Sequence, residues 1–233
     1  MAGKLYLIPC PIVEHQLDTL PKETIDILYK VRHYIVERAR TARRFISKTK
    51  PPYAINELSI IEMDKHDHHI FQKEMMEWLN AGHSVGIVSE SGCPGVADPG
   101  SRYVAIAQEK GIEVIPLVGP SSILLALMAS GMNGQNFAFI GYLPVKNDAL
   151  RQEIKQLDKT IQNTGQSQIF IETPYRNDKL VQSLLKEANP SRKLCIAIDI
   201  TGPKQRIQSK TIKEWKKAVP TIGKQNCIFI LGK

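Results

Sequence analysis

Val85-Gly86-Ile87-Val88 runs straight into Ser89-Glu90-Ser91-Gly92-Cys93-Pro94-Gly95-Val96-Ala97-Asp98-Pro99-Gly100. The first four residues read as a buried strand. The twelve that follow hold three glycines and two prolines, which fix a tight backbone at the strand's carboxyl end. In open α/β sheets ligands bind at that end. Glycines there let a ligand approach main-chain amides, which then act as donors. The stretch is neither a Walker loop nor a Gly-x-Gly-x-x-Gly dinucleotide loop. An ordinary structural turn is the alternative, but connections usually take roughly 4–6 residues. The length favours a ligand loop.

Outward from this loop, short apolar runs alternate with amphipathic ones. Strands are expected at Leu5–Ile8, Tyr34–Val36, Leu58–Ile61, Val85–Val88 and Val114–Leu117. Helices are expected from Thr19 to Val31, over Ala39–Ile46 and Ile70–Leu79, and around Tyr103–Ala107. The alternation implies a mostly parallel sheet covered on both faces. After Gly119-Pro120 the character changes. Ser121 to Ala129 reads as a helix, Phe137–Leu143 as a strand, 149–161 as a polar helix and 158–168 as a surface connection. Ile169–Ile171 is a strand leading into Thr173-Pro174, read as a helix start with Pro at the first position. Leu194–Ile198, Arg206–Gln208 and Cys227–Leu231 are further strands, with a short helix at Thr211–Val219. Strands close together in sequence there suggest a mixed sheet with antiparallel pairing. The expected domains are 1–118 and 119–233, both α/β, the second with the mixed sheet.

Composition narrows the class. The chain has 233 residues, 42% apolar and 23% charged, with a formal net charge of +8, so it is globular with a buried core. The basic balance suggests an anionic partner, and solubility explains it equally well. Cys10, Cys93, Cys195 and Cys227 are far apart, without a Cys-x-x-Cys pair, which points to reduced thiols. The N-terminal apolar run is short and broken by Pro9 and Pro11, so it reads as a first strand and not a signal peptide. No stretch reaches the roughly 20 apolar residues of a membrane span. A soluble, cytoplasmic protein with no membrane partner is expected.

Two further turns resemble ligand sites. Val118-Gly119-Pro120-Ser121-Ser122 joins a strand to an apolar helix, and its serines serve equally as helix caps. Phe170-Ile171-Glu172-Thr173-Pro174-Tyr175-Arg176 is another strand end. Arg38-Ala39-Arg40-Thr41-Ala42-Arg43-Arg44 puts four arginines in seven residues, suited to an RNA backbone or to a solvated helix face. Lys204, Arg206, Lys210, Lys213, Lys216 and Lys217 form a second basic zone with the same two readings. Asp64, His66, Asp67, His68 and His69 lack metal-ligand spacing and are read as a polar loop, with no metal assigned.

Six segments in order complete the picture: Leu5-Tyr6-Leu7-Ile8-Pro9-Cys10-Pro11-Ile12, Glu37-Arg38-Ala39-Arg40, the 89–100 loop, Gly119-Pro120-Ser121-Ser122, Gly141-Tyr142-Leu143-Pro144 and Glu172-Thr173-Pro174-Tyr175-Arg176. Together they resemble the tetrapyrrole-methylase superfamily, and within it most nearly the bacterial 16S rRNA (cytidine-2′-O)-methyltransferases. The resemblance implies two α/β domains with S-adenosylmethionine (SAM) in the cleft between them, in a homodimer. The first domain carries the acceptor side and the cofactor loop. By position, the cofactor contacts it implies are Ile12, Ser91, Gly92, Cys93, Val96, Ser121, Ser122, Glu172 and Ala197. This chain departs from the family pattern at Glu90 (usually Asp), Ser91 (Ala), Cys93 (Thr) and Gly95 (a larger apolar residue). The usual Glu-Asp-Thr-Arg reads Glu37-Arg38-Ala39-Arg40, and Val13-Glu14 stands where Gly-Asn is typical.

The reaction implied is ribose 2′-O-methylation of rRNA, with ribosomal RNA or the small ribosomal subunit as partner. A ribose hydroxyl is a poor nucleophile and needs a base, for which Glu37 is the candidate. Arg40 and Arg43 are candidate phosphate or transition-state clamps. Two alternatives stand beside it. One is methylation of a tetrapyrrole or other small molecule on the same fold, and the other is a nucleotide- or RNA-binding module without turnover.

Overall fold

A computed structural model describes residues 2–63 and 68–233. Asp64, His66 and Asp67 of the histidine-rich run lie outside the described residues. The chain divides into two compact units, Met1–Ser121 and Ser122–Lys233.

The first unit is built on five strands, β1 (Leu5–Ile8), β2 (His33–Val36), β3 (Ser59–Glu62), β4 (Val85–Val88) and β5 (Val114–Pro116), all parallel in the order β3-β2-β4-β1-β5. Alternation of side chains along each strand feeds two cores. Leu5, Ile35, Val85 and Ile87 pack with Met75, Leu79, Tyr103 and Ala107 of α3 (His68–Asn80) and α4 (Ser101–Glu109). Ile8, Tyr34, Val36 and Val88 pack with Leu28, Ala42, Phe45 and Ile46 of α1 (Lys22–Lys30) and α2 (Ala39–Lys48). Gly86 admits this second layer, because a Cβ there would lie 2.9 Å from both Ile8 Cδ1 and Tyr34 Cε1. The buried Tyr34 hydroxyl is satisfied, donating to the Leu28 carbonyl at 2.7 Å.

The helices that follow β1 and β2 cover one face, while the one after β4 covers the other. The chain therefore opens a crevice at the carboxyl end of β4, flanked by β1 and β2. That is the topological switch point where doubly wound sheets take ligands.

The second unit holds α5 (Ser122–Ser130), β6 (Phe137–Tyr142), α6 (Asn147–Thr164), β7 (Ser167–Ile171), α7 (Asn177–Glu187), β8 (Lys193–Ile198), β9 (Arg206–Thr211), α8 (Ile212–Trp215) and β10 (Cys227–Gly232). Its sheet runs β6-β7-β10-β8-β9, with β6 and β7 parallel and the other pairs antiparallel. The mixed sheet agrees with the sequence, but three local expectations are corrected. Residues 158–168 are not a surface connection. Leu150, Ile154, Leu157 and Ile161 form one buried stripe, so α6 continues to Thr164 and stops at Gly165 in the left-handed region. Ser167 and Gln168 then open a buried strand, their polar groups satisfied by Asn133 and Gln166.

Thr173-Pro174 does not start a helix either. The Glu172 carboxylate accepts from the Thr173 amide at 2.5 Å and from the Arg176 guanidinium, curling 172–176 into a turn, and α7 begins at Asn177. Finally, α8 is a single turn, started by a capping box between Thr211 and Glu214.

Candidate active site

Parallel pairing sends the loops after β1, β2, β4 and β5 to one edge of the first sheet, where hydrogen bonds stitch them together. Cys10 and Gly92 exchange backbone bonds of 2.9 and 3.1 Å. Gly92 takes φ +72°, a region favouring glycine, and Ser89 Oγ donates to its carbonyl at 2.9 Å. Ser91 Oγ donates to the Ile12 carbonyl at 3.2 Å. Asp98 holds the loop's second turn by accepting from the amides of Gly95 and Gly100 at 3.2 and 2.8 Å. Cys93 Sγ lies 3.4 Å from the Pro120 carbonyl, which ties the β4 loop to the β5 loop.

The twelve-residue stretch is therefore held rigid by its neighbours. Its serine hydroxyls are committed to loop carbonyls, and Val96 stands exposed on it. Main-chain amides of such a glycine-bearing loop suit the carboxylate and ribose edges of a SAM-like cofactor. Burial pushes the Cys93 thiol above its ordinary pKa, so it stays protonated and does not compete for an electrophilic methyl group. Cys93→Thr is expected to keep the donor to Pro120 and leave cofactor affinity unchanged by calorimetry. Cys93→Val should lose about 1 kcal/mol of stability, the usual worth of one hydrogen bond. Equal melting of the two variants would show that the contact carries no weight.

Glu37 follows β2 on the same edge. Its carboxyl is hydrogen-bonded to Asp98 and flanked by Glu90. Burial raises its pKa to about 6, the Asp98 charge and hydrogen bond and the Glu90 charge add to the rise, and a bond from the Glu90 amide opposes it. A carboxyl titrating near neutrality is suited to moving a proton.

Arg40 and Arg43 stand on α2, both exposed and without an ion pair among the described residues. The helix is set in place by Glu62 at the end of β3, which accepts from the Ala39 amide at 2.6 Å. Arg44, grouped with them in the sequence, is committed elsewhere. Its Nε lies 2.8 Å from Glu14, which also receives Lys48 at 2.6 Å. Below this pair a pocket of about 190 Å³ opens between Cys10, Ile12, Thr41, Phe45 and Glu90.

Of the nine implied cofactor residues, Ile12, Ser91, Gly92, Cys93, Val96 and Ser121 belong to the first unit. The first five stand on the loops after β1 and β4, and Ser121 closes the β5 loop. Ser122 opens α5 of the second unit. Glu172 stands at the end of β7 with its side chain 6% exposed and paired to Arg176. Ala197 sits differently. It is fully buried in mid-strand, paired with Ile228 on one side and Ile207 on the other. Sequence reasoning placed Glu37 but missed Glu90 and Asp98 as its partners, since no spacing signal links positions 61 residues apart.

Comparison with known proteins gives five findings. The family of tetrapyrrole (corrin/porphyrin) methylases matches residues 16–216. The ribosomal RNA small subunit methyltransferase I of Vibrio cholerae is 29% identical over 212 residues, covering 90% of this chain and 69% of that one. The Bacillus subtilis protein of the same name is 29% identical over 212 residues, covering 91% and 68%. Among solved structures, the methyltransferase CobJ superposes with a TM-score of 0.64 at 18% identity, covering 100% of this chain and 95% of CobJ. The uroporphyrin-III C-methyltransferase of Thermus thermophilus, complexed with S-adenosylhomocysteine, gives 0.57 at 17% identity, covering 99% and 98%. At those identities the structural likeness is one of fold.

Proposed function

Because the chain belongs to the tetrapyrrole (corrin/porphyrin) methylase family, we propose that it is a SAM-dependent methyltransferase acting on a ribose 2′-hydroxyl of small-subunit rRNA. The observation behind this reading is the convergence of four strand-end loops on one edge, where the hydrogen-bonded 89–100 loop meets the Glu37 carboxyl. Bound there, SAM supplies an activated methyl group on a sulfonium, with a neutral thioether as leaving group. Ile12, Ser91, Gly92, Cys93, Val96 and Ser121 are the residues assigned to hold it. Glu37 takes the proton from the acceptor hydroxyl as the new O–C bond forms. Asp98, fixed by two amides, keeps that carboxyl aimed. Alignment of acceptor and donor supplies much of the remaining rate enhancement.

The 190 Å³ pocket between Thr41, Phe45 and Glu90 receives the acceptor nucleotide in this reading, with Arg40 and Arg43 on the flanking phosphates. A homodimer and a cytoplasmic setting belong to the same proposal. Among the described residues no helix is long and apolar enough to cross a membrane. Tetrapyrrole acceptors are the second reading, suggested by the names of the structural neighbours. They give no role to Arg40 and Arg43, which form no ion pair among the described residues.

The decisive experiment incubates the protein with labelled SAM and small-subunit rRNA, digests the product and locates the methyl group by mass spectrometry. A 2′-O-methyl nucleotide is the expected product, and the absence of label in RNA overturns the acceptor. In parallel, Arg40→Ala with Arg43→Ala should weaken RNA binding and flatten its salt dependence. The log–log slope should change by roughly 1.4, about 0.7 for each lost phosphate contact on a single strand. An unchanged slope would remove the two arginines from the RNA path.

A further inference from the structure

The second unit carries a concentration of positive charge that the methyl-transfer chemistry does not use. Residues 193–217 hold seven Lys and Arg against two acids, net +5 in a chain of net +8. Both acids accept local hydrogen bonds, and Glu214 also lies in the field of Lys210 and Lys217 without forming an ion pair among the described residues. The Glu214 carboxylate accepts from the Thr211 amide and hydroxyl at 2.8 and 2.7 Å, and Asp199 accepts from the Lys204 main-chain amide at 2.8 Å. Among the described residues, Lys193, Lys204, Arg206, Lys210, Lys213, Lys216 and Lys217 form no ion pair.

The sheet gives this charge a shape. β9 is an edge strand, paired only with β8. Its register sets Arg206, Gln208 and Lys210 opposite Ile198, Ile196 and Leu194, so the three polar residues share one face. Residues alternating along a strand stand about 6.8 Å apart. The ladder thus reads cation, amide, cation at regular steps. Beside it runs a groove of about 260 Å³, floored by Ile196 and Ile198 and walled by Trp215. Lys210 Nζ lies 4.7 Å from the Trp215 ring centroid, which steadies that side chain over the groove. Lys213, Lys216 and Lys217 continue the charge beyond the edge strand onto α8 and the turn after it.

We propose that this ladder and the lysines beyond it form an RNA-docking surface of the second unit, taking the phosphate backbone of a single-stranded segment. The inference rests on the rRNA acceptor reading above. Protection of a sheet edge against strand pairing accounts for one or two lysines on β9. It does not account for three more off the strand, where no backbone is left unpaired by an edge. A linear polyanion matches a linear array of cations with polar donors between them. Contacts to phosphate add affinity and fix register without reading sequence.

The test uses the full chain and a single-stranded RNA oligonucleotide of mixed sequence, with affinity measured across a salt series. Arg206→Gln with Lys210→Gln is expected to weaken binding several-fold and reduce the log–log salt slope by roughly 1.4. Lys213→Gln with Lys216→Gln, on fully solvated side chains, should act in the same direction. SAM affinity should not move, which also shows that the variants are folded. If the wild type binds RNA and both variants keep its affinity and slope, the ladder is edge protection only and the proposal falls. If the substitutions weaken binding of poly-aspartate and leave RNA untouched, the surface serves an acidic protein and the RNA assignment falls. If the wild type binds SAM but no RNA at any salt, the acceptor reading itself fails and takes this inference with it.

Discussion

Glu37→Gln is expected to lower the turnover number by about 10²–10⁴-fold, the range usually lost with a general base, while SAM affinity stays at the wild-type value. The wild-type rate should rise with pH through about 6 and level off above it, because the base acts in its ionised form. Stability should move the other way. The carboxyl pKa is raised from 4.5 to about 6, so the folded chain holds this proton more tightly than the unfolded one. Its contribution is fully present below pH 4.5 and is lost as pH rises through about 6. Asp98 and Glu90 are the charges facing it, and both are ionisable carboxylates that resist a third negative charge. The amide variant removes that repulsion. It should melt higher than wild type at pH 7–8, with the difference shrinking towards pH 4. Wild-type turnover in the variant would strip Glu37 of its role as base.

Gly119→Ala is the second large effect. A Cβ at Gly119 would stand 2.2 Å from Pro9 Cβ and 2.5 Å from Pro9 Cγ. Neither partner gives way easily, since the proline ring is rigid and leads directly into the Cys10–Gly92 bridge. The main chain must move, at about 1–3 kcal/mol for an overpacked site or somewhat more. The same movement pulls the Pro120 carbonyl from Cys93 and splays the β4 and β5 loops. Thermal melting should show a fall of roughly 5–10 °C. Calorimetry should show SAM affinity reduced at least about tenfold, or 1.4 kcal/mol. A variant that melts normally and binds SAM normally would mean that the strand-end loops are not clamped as described.

The parallel sheet of the first unit was legible because its strands are buried on both faces and read as unbroken apolar runs: Leu5–Ile8 and Val85–Val88 have the observed limits. Strand order was not legible, since it depends on which helix crosses which face. Polarity misled the reading at 158–168. Lys159, Gln162 and Asn163 are exposed on α6, Asp158 is turned to the buried Arg192, and these polar residues outweigh the one buried apolar position, Ile161. Ser167 and Gln168 are buried polar residues, the first satisfied by the distant Asn133 carbonyl and the second by Gln166. In the site, the glycines and prolines of 89–100 announced a rigid loop through local chemistry. The Glu37–Asp98 bond and the Glu14–Arg44 pair join segments that approach only in the folded chain.

The position of β10 has a consequence for synthesis. It leaves the ribosome after both β7 and β8, yet in the second sheet it lies between them. Until it arrives, those two strands have no common neighbour and present unsatisfied edges to the cell. At about 5–20 residues per second, the interval from Ile198 to Gly232 lasts roughly 2–7 s. The first unit, whose five strands are complete by Pro116, needs no such wait. The nascent chain therefore passes through a half-folded period, with one unit finished and the other open to aggregation or chaperones, which closes only when Cys227–Gly232 slots home.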